Sequence, residues 1–368
     1  MSDGNFNNPG STNPADQAFG RGVTSQQPGP GPLPQSGGSG KAGPPGPPGS
    51  PGAAGPPGPP GPTTPDIMAL LRYTDLLYSV WTPRFTPADK DWYAVTYGNG
   101  LFVAVSDTGD ADCVMTSPDG VTWTLQTAFG YRWYSVTCGN GLFVAVAVDG
   151  LGFAMTSPDG INWTLRAVPH QEWSSVTWGD GVFVAVAVNQ PYSMSSPDGI
   201  NWTQHSTPSA NWTSVTWGNG LFVAVAVGGQ VATSPDGITW SPQTAISMQW
   251  KSVCYGDGKF LAVANSGVVN QVMTSPDGIT WTQQTLNSDN PWTGVTYGNG
   301  IFVAVCGEVN EPELITSPTG EAWTQHKGLI AQQWNAIAYG NGVFVAVAPQ
   351  AGFPGLRAMS SGILGLAP

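Results

Sequence analysis

Apolar and polar positions along this chain follow a pattern that repeats seven times. Each repeat opens with a segment such as Trp92–Tyr97, rich in aromatic and β-branched residues, and continues with a nearly uninterrupted apolar segment such as Leu101–Val105. A later Ser-Pro-Asp-Gly-x-x-Trp segment occurs in the first five repeats and reads Ser-Pro-Thr-Gly-Glu-Ala-Trp in the sixth. The repeats start 38 to 42 residues apart, at Trp92, Trp133, Trp173, Trp212, Trp250, Trp292 and Trp334.

Each repeat predicts four short antiparallel strands. Gly98-Asn99-Gly100 and its copies join the first two strands, because Asn-Gly tolerates the positive φ angles of a tight hairpin. The continuous apolar second strand indicates coverage on both faces. A third strand ends at Thr-Ser, Pro-Asp-Gly turns the chain, and a fourth strand carries the second Trp. Four strands in a period near 40 residues predict an all-β fold, a β-propeller.

The two ends of the repeat region predict how the ring closes. Residues 78–82 read like a fourth strand but have no repeat before them, and the last repeat ends at Ala358–Ser361 without a fourth strand. We expect the early strand to complete the last blade, since a closed ring leaves no free sheet edge. Six complete repeats and one split repeat predict a seven-bladed β-propeller over residues 78–368.

The N-terminal quarter of the chain has a different composition. Residues 1–39 contain few large apolar side chains and predict a flexible, anchoring segment. In residues 40–63 glycine occupies every third position and proline fills most of the others, which predicts a collagen-like triple-helical stalk. The alternative is a flexible Pro-rich linker. A triple helix requires three chains, so the stalk predicts a homotrimer.

Residues 64–77 connect the predicted stalk to the predicted propeller. Asp66 is a candidate helix cap, and Ile67, Leu70, Thr74 and Leu77 have the spacing of heptad a and d positions. One interpretation is a short trimeric helical neck. The other is a segment packed on its own propeller, and two heptads do not decide between them.

Charge and cysteine content narrow the range of partners. Only 9% of the residues are charged, the formal net charge is −12, and no basic stripe is present, which argues against nucleic acid or an anionic membrane surface. The longest apolar run, Leu142–Val148, is too short to cross a bilayer, and the first residues do not have the pattern of a signal peptide, so we expect none. The four cysteines lie in different repeats, which favours buried free thiols: Cys113, Cys138, Cys254 and Cys306.

Propeller geometry assigns the loops to two faces. If the first strand of each blade runs from face one to face two, both tight turns of the repeat lie on face two and the variable loops lie on face one. The chain then enters its first strand from face two, so we expect the stalk behind the propeller and face one pointing outward. The alternative is that these loops vary because nothing restrains them.

The candidate ligand-binding residues lie on face one. We expect the seven repeat-opening tryptophans around the outer mouth of the central channel, where aromatic faces suit sugar rings, although packing between blades is the favoured role for a residue that recurs in every blade. The next position varies, and with adjacent loop residues it predicts a recognition surface. The candidates are Trp92, Tyr93, Arg132, Trp133, Tyr134, Glu172, Lys251 and Asn335.

Candidate metal ligands are dispersed. His170, His205 and His326 fall in three different blade-to-blade loops, so a single site joining them is not expected. The acidic residues near positions 107–112 and 308–313 match no specific calcium-loop pattern, which favours solvated surface acids. We therefore predict no metal and no cofactor.

The repeat resembles two groups of known proteins. Ser-Pro-Asp-Gly-x-x-Trp is similar to the Asp-box, or BNR repeat, of sialidase-like propellers, but is one residue shorter between Asp and Gly. The whole repeat resembles propellers in predicted phage tail and surface proteins, over residues 78–361. Collagen-like stalks joined to binding heads occur in phage fibres, and bacterial spore or cell-surface filaments carry similar stalks.

This resemblance implies a trimeric fibre with a receptor-binding tip. Residues 1–39 would attach to a virion or particle protein, and the propeller would bind a host cell-surface glycan or protein. The implied location is the virion surface as a tail or capsid fibre, with a bacterial cell or spore surface as the alternative. A structural decoration fibre without a specific ligand is the second hypothesis for function.

The same resemblance raises the question of an enzyme. Sialidases hold the substrate carboxylate with three arginines and use a tyrosine nucleophile assisted by a glutamate. From Tyr78 onward this chain has Arg84, Arg132, Arg166 and Arg357, and none lies in the Arg-Ile-Pro motif of that family. Paired carboxylates, Ser-His-Asp spacing and phosphate loops are not evident either. We therefore predict that the chain is not an enzyme and has no catalytic residues, and a sialidase-like glycan hydrolase is the least favoured alternative.

Overall fold

The computed structural model describes residues 81–266, 270–308, 313–327, 329–349 and 354–362. These residues form seven four-stranded antiparallel sheets, one per blade. The predicted all-β, seven-bladed propeller is therefore confirmed. Among these described residues, no helix is long and apolar enough to cross a membrane. The predicted anchoring segment, collagen-like stalk and neck lie outside the described residues.

The first strand, β1 (Trp81–Arg84), precedes the complete blades. Blade one contains β2 (Trp92–Gly98), β3 (Leu101–Ser106), β4 (Val114–Ser117) and β5 (Thr124–Gln126). Blade two contains β6 (Trp133–Gly139), β7 (Leu142–Ala147), β8 (Phe153–Ser157) and β9 (Thr164–Ala167). Blade three contains β10 (Trp173–Gly179), β11 (Val182–Ala187), β12 (Tyr192–Ser196) and β13 (Thr203–Ser206).

The remaining blades follow the same order. Blade four contains β14 (Asn211–Gly218), β15 (Leu221–Val227), β16 (Gln230–Ser234) and β17 (Ser241–Thr244). Blade five contains β18 (Trp250–Gly256), β19 (Lys259–Ala264), β20 (Val272–Ser275) and β21 (Thr282–Gln284). Blade six contains β22 (Trp292–Gly298), β23 (Ile301–Cys306), β24 (Glu313–Ser317) and β25 (Thr324–Lys327). Blade seven contains β26 (Ala336–Gly340), β27 (Val343–Val347) and β28 (Ala358–Ser361), and β1 is its fourth strand.

The ring closes as predicted, through pairing of β1 with β28. Thr82 lies opposite Ser360 in antiparallel register, and Arg84 Nε donates a hydrogen bond to Ser360 Oγ at 2.7 Å. A fourth-strand side chain makes the same contact with a third-strand hydroxyl in the other blades, as Gln126 does with Thr116 at 3.0 Å. The strand that closes the ring therefore occupies the ordinary place of a fourth strand.

The tight turns lie together on face two. Asn99 and Gly100 have φ angles of 50° and 78°, as the Asn-Gly hairpin requires. Asn99 Nδ2 donates to Gly141 O at 2.9 Å and to Pro158 O at 3.1 Å. These contacts join the first hairpin of blade one to both turns of blade two.

The Ser-Pro-Asp-Gly turns hold themselves in shape through the aspartate. In blade two, Asp159 Oδ1 accepts hydrogen bonds from the backbone N–H groups of Ile161 and Asn162 at 2.9 and 2.8 Å. The hydrogen bond from the Asn162 backbone N–H makes the largest contribution to the lowering of the Asp159 pKa from its ordinary value. Trp163 Nε1 donates to Gly160 O at 3.0 Å. The recurring aspartate is thus explained by local turn geometry.

The seven repeat-opening tryptophans lie in the core between blades. All seven are fully buried. Trp92 packs in a cluster with Val345 and Val347 of blade seven, and Trp133 packs in a cluster with Val103 and Val105 of blade one. The expectation that these side chains surround the channel mouth is therefore corrected, because each fills the apolar interface between its own blade and the preceding one.

The cysteines follow the predicted pattern in part. Cys113 and Cys254 are buried free thiols, whereas the free thiol of Cys138 is half-buried. Burial raises the pKa of Cys113 to about 12. Cys306 is also buried. These side chains belong to the packing of the blades.

Candidate functional site

The first strands of the seven blades surround a central channel. Where these strands begin, on face one, a cavity of about 120 Å³ is lined by residues of every blade. We call this cavity the mouth. The position after the repeat-opening Trp contributes one side chain from each blade: Tyr93, Tyr134, Ser174, Thr213, Lys251, Thr293 and Asn335.

A β-bulge explains why this position reaches the mouth. In blade one the pairing of β2 with β3 shifts between Trp92 and Ala94, so Tyr93 has no partner across the strand pair. The same shift occurs at the start of the first strand in blades two to six. A bulge re-aims the extra residue and releases it from the regular alternation of the strand. The Trp before it therefore packs between blades, while the residue after the Trp lines the mouth.

Two tyrosines and one lysine form the most distinctive part of the mouth. The Tyr93 and Tyr134 rings are stacked, with centroids 3.8 Å apart and an interplanar angle of 26°, and Tyr93 Oη donates to Tyr134 Oη at 2.5 Å. Lys251 extends from blade five, and its Nζ donates to Tyr93 Oη at 3.2 Å. The Lys251 Nζ atom lies 5.5 Å from the Tyr93 ring centroid and 5.8 Å from that of Tyr134.

The electrostatic setting of this group is unusual. Burial lowers the pKa of Lys251 from its ordinary value, because removal of water disfavours the charged ammonium. Burial also raises the pKa of Tyr93, and the neighbouring Tyr134 raises it further. None of the ion pairs found among the described residues includes Lys251. The ammonium is therefore held by a phenol oxygen and two aromatic rings.

The other four residues of the set tie neighbouring blades together. Thr213 Oγ1 lies 2.8 Å from Trp250 O and 3.0 Å from Val225 O and donates its single hydrogen toward these carbonyls. Ser174 and Thr293 make the equivalent contacts in their blades. Asn335 Nδ2 donates to Tyr93 O at 2.6 Å. These hydrogen bonds to backbone carbonyls hold the side chains against the neighbouring blades.

A second row of contacts lies just below, and the sequence analysis missed it. Ser175 Oγ accepts a hydrogen bond from the Val215 backbone N–H of the next blade at 3.1 Å. Ser135, Ser214 and Ser252 do the same for their following blades, at 3.0 to 3.3 Å. The position is Ala94 in blade one, a glycine in blade six and an alanine in blade seven. The serine that recurs two residues after the Trp was the sequence signal from which these inter-blade hydrogen bonds could have been predicted.

The predicted loop candidates lie beside the mouth. Arg132 forms a two-pronged ion pair with Asp107, with Nε to Oδ1 at 2.8 Å and Nη2 to Oδ2 at 3.2 Å. Glu172 Oε2 accepts a hydrogen bond from Asn189 Nδ2 at 3.0 Å. Neither Arg132 nor Glu172 lines the mouth.

Half of the predicted set therefore shares one cavity. Tyr93, Tyr134, Lys251 and Asn335 come together in the mouth. Trp92 and Trp133 leave the candidate set, because they have no exposed surface. A ligand-binding role for the residues that do line the mouth stays a prediction.

The propeller is similar to several solved structures. A streptogramin B lyase matches with a TM-score of 0.66 and 9% identity, covering 76% of this chain and 96% of the lyase. Virginiamycin B lyase from Staphylococcus aureus matches with a TM-score of 0.64 and 11% identity, over 76% and 97% of the two chains. YCF48, solved bound to D1 peptide, matches with a TM-score of 0.60 and 17% identity, over 78% and 97%. No protein-family model and no curated protein matches the chain.

These similarities show the fold, a seven-bladed propeller. None of the three structures indicates a phage fibre, and the likeness to the BNR repeat remains unconfirmed. The prediction that the chain is not an enzyme is contradicted, because two of these similar structures are lyases. The reasoning failed because it looked only for sialidase, paired-carboxylate, Ser-His-Asp and phosphate-loop motifs, and one fold hosts many other chemistries.

Proposed function

We propose that the propeller is the binding head of a homotrimeric fibre and that its mouth contacts a glycan or protein on a host cell surface. In this proposal residues 40–63 form the collagen-like stalk and residues 1–39 attach to a virion or another particle. The single observation that supports it most is the mouth itself. Seven equivalent positions converge on one cavity, and these positions vary while the scaffold around them recurs.

The direction of β1 supports an outward-facing mouth. As a fourth strand, β1 runs from face two to face one, so its first residue, Trp81, lies toward the face opposite the mouth. In this proposal, a particle attached through the N-terminal residues would leave face one accessible. Three heads on one stalk would raise the overall affinity for a surface that presents many ligand copies, even if each head binds weakly.

Cell binding by the full-length protein tests this proposal. The fluorescently labelled protein is titrated on candidate host cells and competed with their purified surface polysaccharide, and we expect saturable binding that the polysaccharide displaces. The Tyr134→Ala variant should bind less, while the matched Tyr→Ala change at Tyr192, outside the mouth, should not. Equal binding by both variants, or no saturable binding on a broad panel of cells, would favour the decoration fibre.

Two further measurements complete the test. Sedimentation of the full-length protein in the cold should give three times the chain mass, and a monomer would contradict the stalk. Mass-spectrometric analysis of the polysaccharide after incubation determines whether the head also cleaves its ligand.

A further inference from the structure

We infer that the mouth binds the carboxylate of an acidic sugar, with Lys251 as its counter-charge. This inference rests on the proposed function and specifies the class of ligand. Three observations carry it: the charge of Lys251, the direction of the hydrogen bonds in the mouth, and the size and chemistry of the cavity.

The first observation is that Lys251 lacks a carboxylate partner. Lys90 and Lys259 each form an ion pair, with Asp110 and Asp257. Lys251 is half-buried and has no such partner among the described residues. A charge that is partly removed from water is stabilised by an opposite charge. An anion that enters the mouth from outside would provide the missing pair.

The second observation is that the group presents hydrogen-bond donors. A lysine ammonium has three donors and no acceptor, so the contact with Tyr93 Oη uses one donor and leaves two. Because Tyr93 Oη accepts from Lys251, its own hydrogen is directed to Tyr134 Oη. The Tyr134 hydrogen is then available for a third group. A carboxylate accepts hydrogen bonds on both oxygens and complements these donors.

The third observation concerns the space and its lining. The mouth has a volume of about 120 Å³, which is smaller than the about 300–1,000 Å³ of pockets that enclose a whole drug-sized ligand. It therefore admits only part of a ligand, such as a carboxylate and the edge of one sugar ring. Tyr93 and Tyr134 are half-buried aromatic side chains, and Asn335 keeps its amide oxygen as an acceptor because Nδ2 donates to Tyr93 O. Aromatic surface next to a hydroxyl-accepting amide suits a sugar better than a peptide terminus.

Protection of Lys251 from chemical modification tests the inference. The full-length protein is reductively methylated in the presence of D-glucuronate or D-glucose, and mass spectrometry follows Lys251 and Lys259 separately. Lys259 is the matched control, because it belongs to the same blade and lies on face two. We expect glucuronate to slow methylation of Lys251 alone and glucose to slow neither lysine. Equal protection by both sugars, or equal protection of both lysines, would overturn the inference.

Variants and a second carboxylate sharpen the result. Saturation-transfer NMR should show glucuronate binding roughly 10- to 100-fold weaker for Lys251→Met, as expected for loss of a charged hydrogen bond, and unchanged for Lys259→Met. Unchanged binding by Lys251→Met would overturn the assignment. Protection of Lys251 by an acetylated diglycine peptide at a lower concentration than glucuronate would overturn the choice of a sugar.

The outcome separates this inference from the proposed function. Saturable cell binding that is insensitive to glucuronate and to Lys251→Met retains the binding head and rejects the acidic sugar. Glucuronate binding at Lys251 without any cell binding retains the sugar site and rejects the host-surface role.

Discussion

The serine contacts between blades make a quantitative prediction about stability. Val215 lies on β14, which pairs only with β15, so its N–H points to the open inner edge of the blade. Ser175 Oγ accepts that hydrogen bond at 3.1 Å, and Ser175 is buried. The Ser175→Ala change removes the acceptor and leaves a donor unpaired in the ring.

The magnitude follows from the surroundings of this donor. An unpaired buried hydrogen-bonding group costs about 1–3 kcal/mol. Ser175 lines the mouth, so a water molecule can replace the hydroxyl in part, and we expect about 1–2 kcal/mol. The reverse change, Ala94→Ser, places an acceptor where blade one lacks it and should stabilise the protein by about 0.5–1 kcal/mol.

Urea unfolding of the full-length protein, followed by tryptophan fluorescence, measures both changes. Ser209→Ala is the matched control, because Ser209 is exposed in a loop of face one. Hydrogen exchange of the peptide that contains Val215 should also become faster in Ser175→Ala. If Ser175→Ala is no more destabilising than Ser209→Ala, the serine contacts do not hold the blades together.

Three further predictions address the site and the turns. Glucuronate binding should weaken as the pH rises toward the pKa of Lys251, because only the charged ammonium pairs with a carboxylate. Burial lowers that pKa, so the weakening should begin at a lower pH than it would for an exposed lysine. Titration by NMR measures this, and affinity constant to pH 11 would refute it. Gly218→Ala should destabilise the protein by about 1–3 kcal/mol, because the new Cβ would lie 2.1 Å from Tyr255 Cγ. Thermal unfolding tests this, and an unchanged melting temperature would show that the blades can separate without cost. Asp159→Asn should reduce the loss of stability below about pH 4. Hydrogen bonds to the ionised Asp159 carboxylate lower its pKa and stabilise the fold at pH values above the ordinary pKa of aspartate, and this stabilisation is lost as the pH falls through the lowered pKa. Identical acid unfolding curves for the two proteins would contradict this prediction.

The fold was predictable because the same sequence pattern of strands and turns occurs in seven repeats. Asn99-Gly100 and its copies define the hairpins through their positive φ angles. The unmatched strand-like segment before the first repeat, and a last repeat whose sequence has no fourth-strand segment, predicted the closing pair of β1 and β28. These signals are local, and each is supported by its copies in the other blades.

The site was only partly predictable, because it depends on a bulge. The sequence of β2 does not reveal that Tyr93 is left unpaired between β2 and β3, so Trp92 was expected beside it at the mouth. The bulge reverses that expectation and separates the two neighbours. The contact of Lys251 with Tyr93 was also beyond sequence reasoning, because it joins blades five and one through side-chain length rather than through the repeat.

The way the ring closes also determines when the propeller can be completed during translation. β1 is made before every blade, but its partner β28 begins only at Ala358. At roughly 5–20 residues per second, the intervening chain takes on the order of tens of seconds to emerge. Throughout that interval β1 must avoid other strand edges, and Pro83 and Arg84 are residue types that discourage such pairing. The propeller therefore becomes complete in a single late step, and a chain whose translation stops before β28 cannot close the ring.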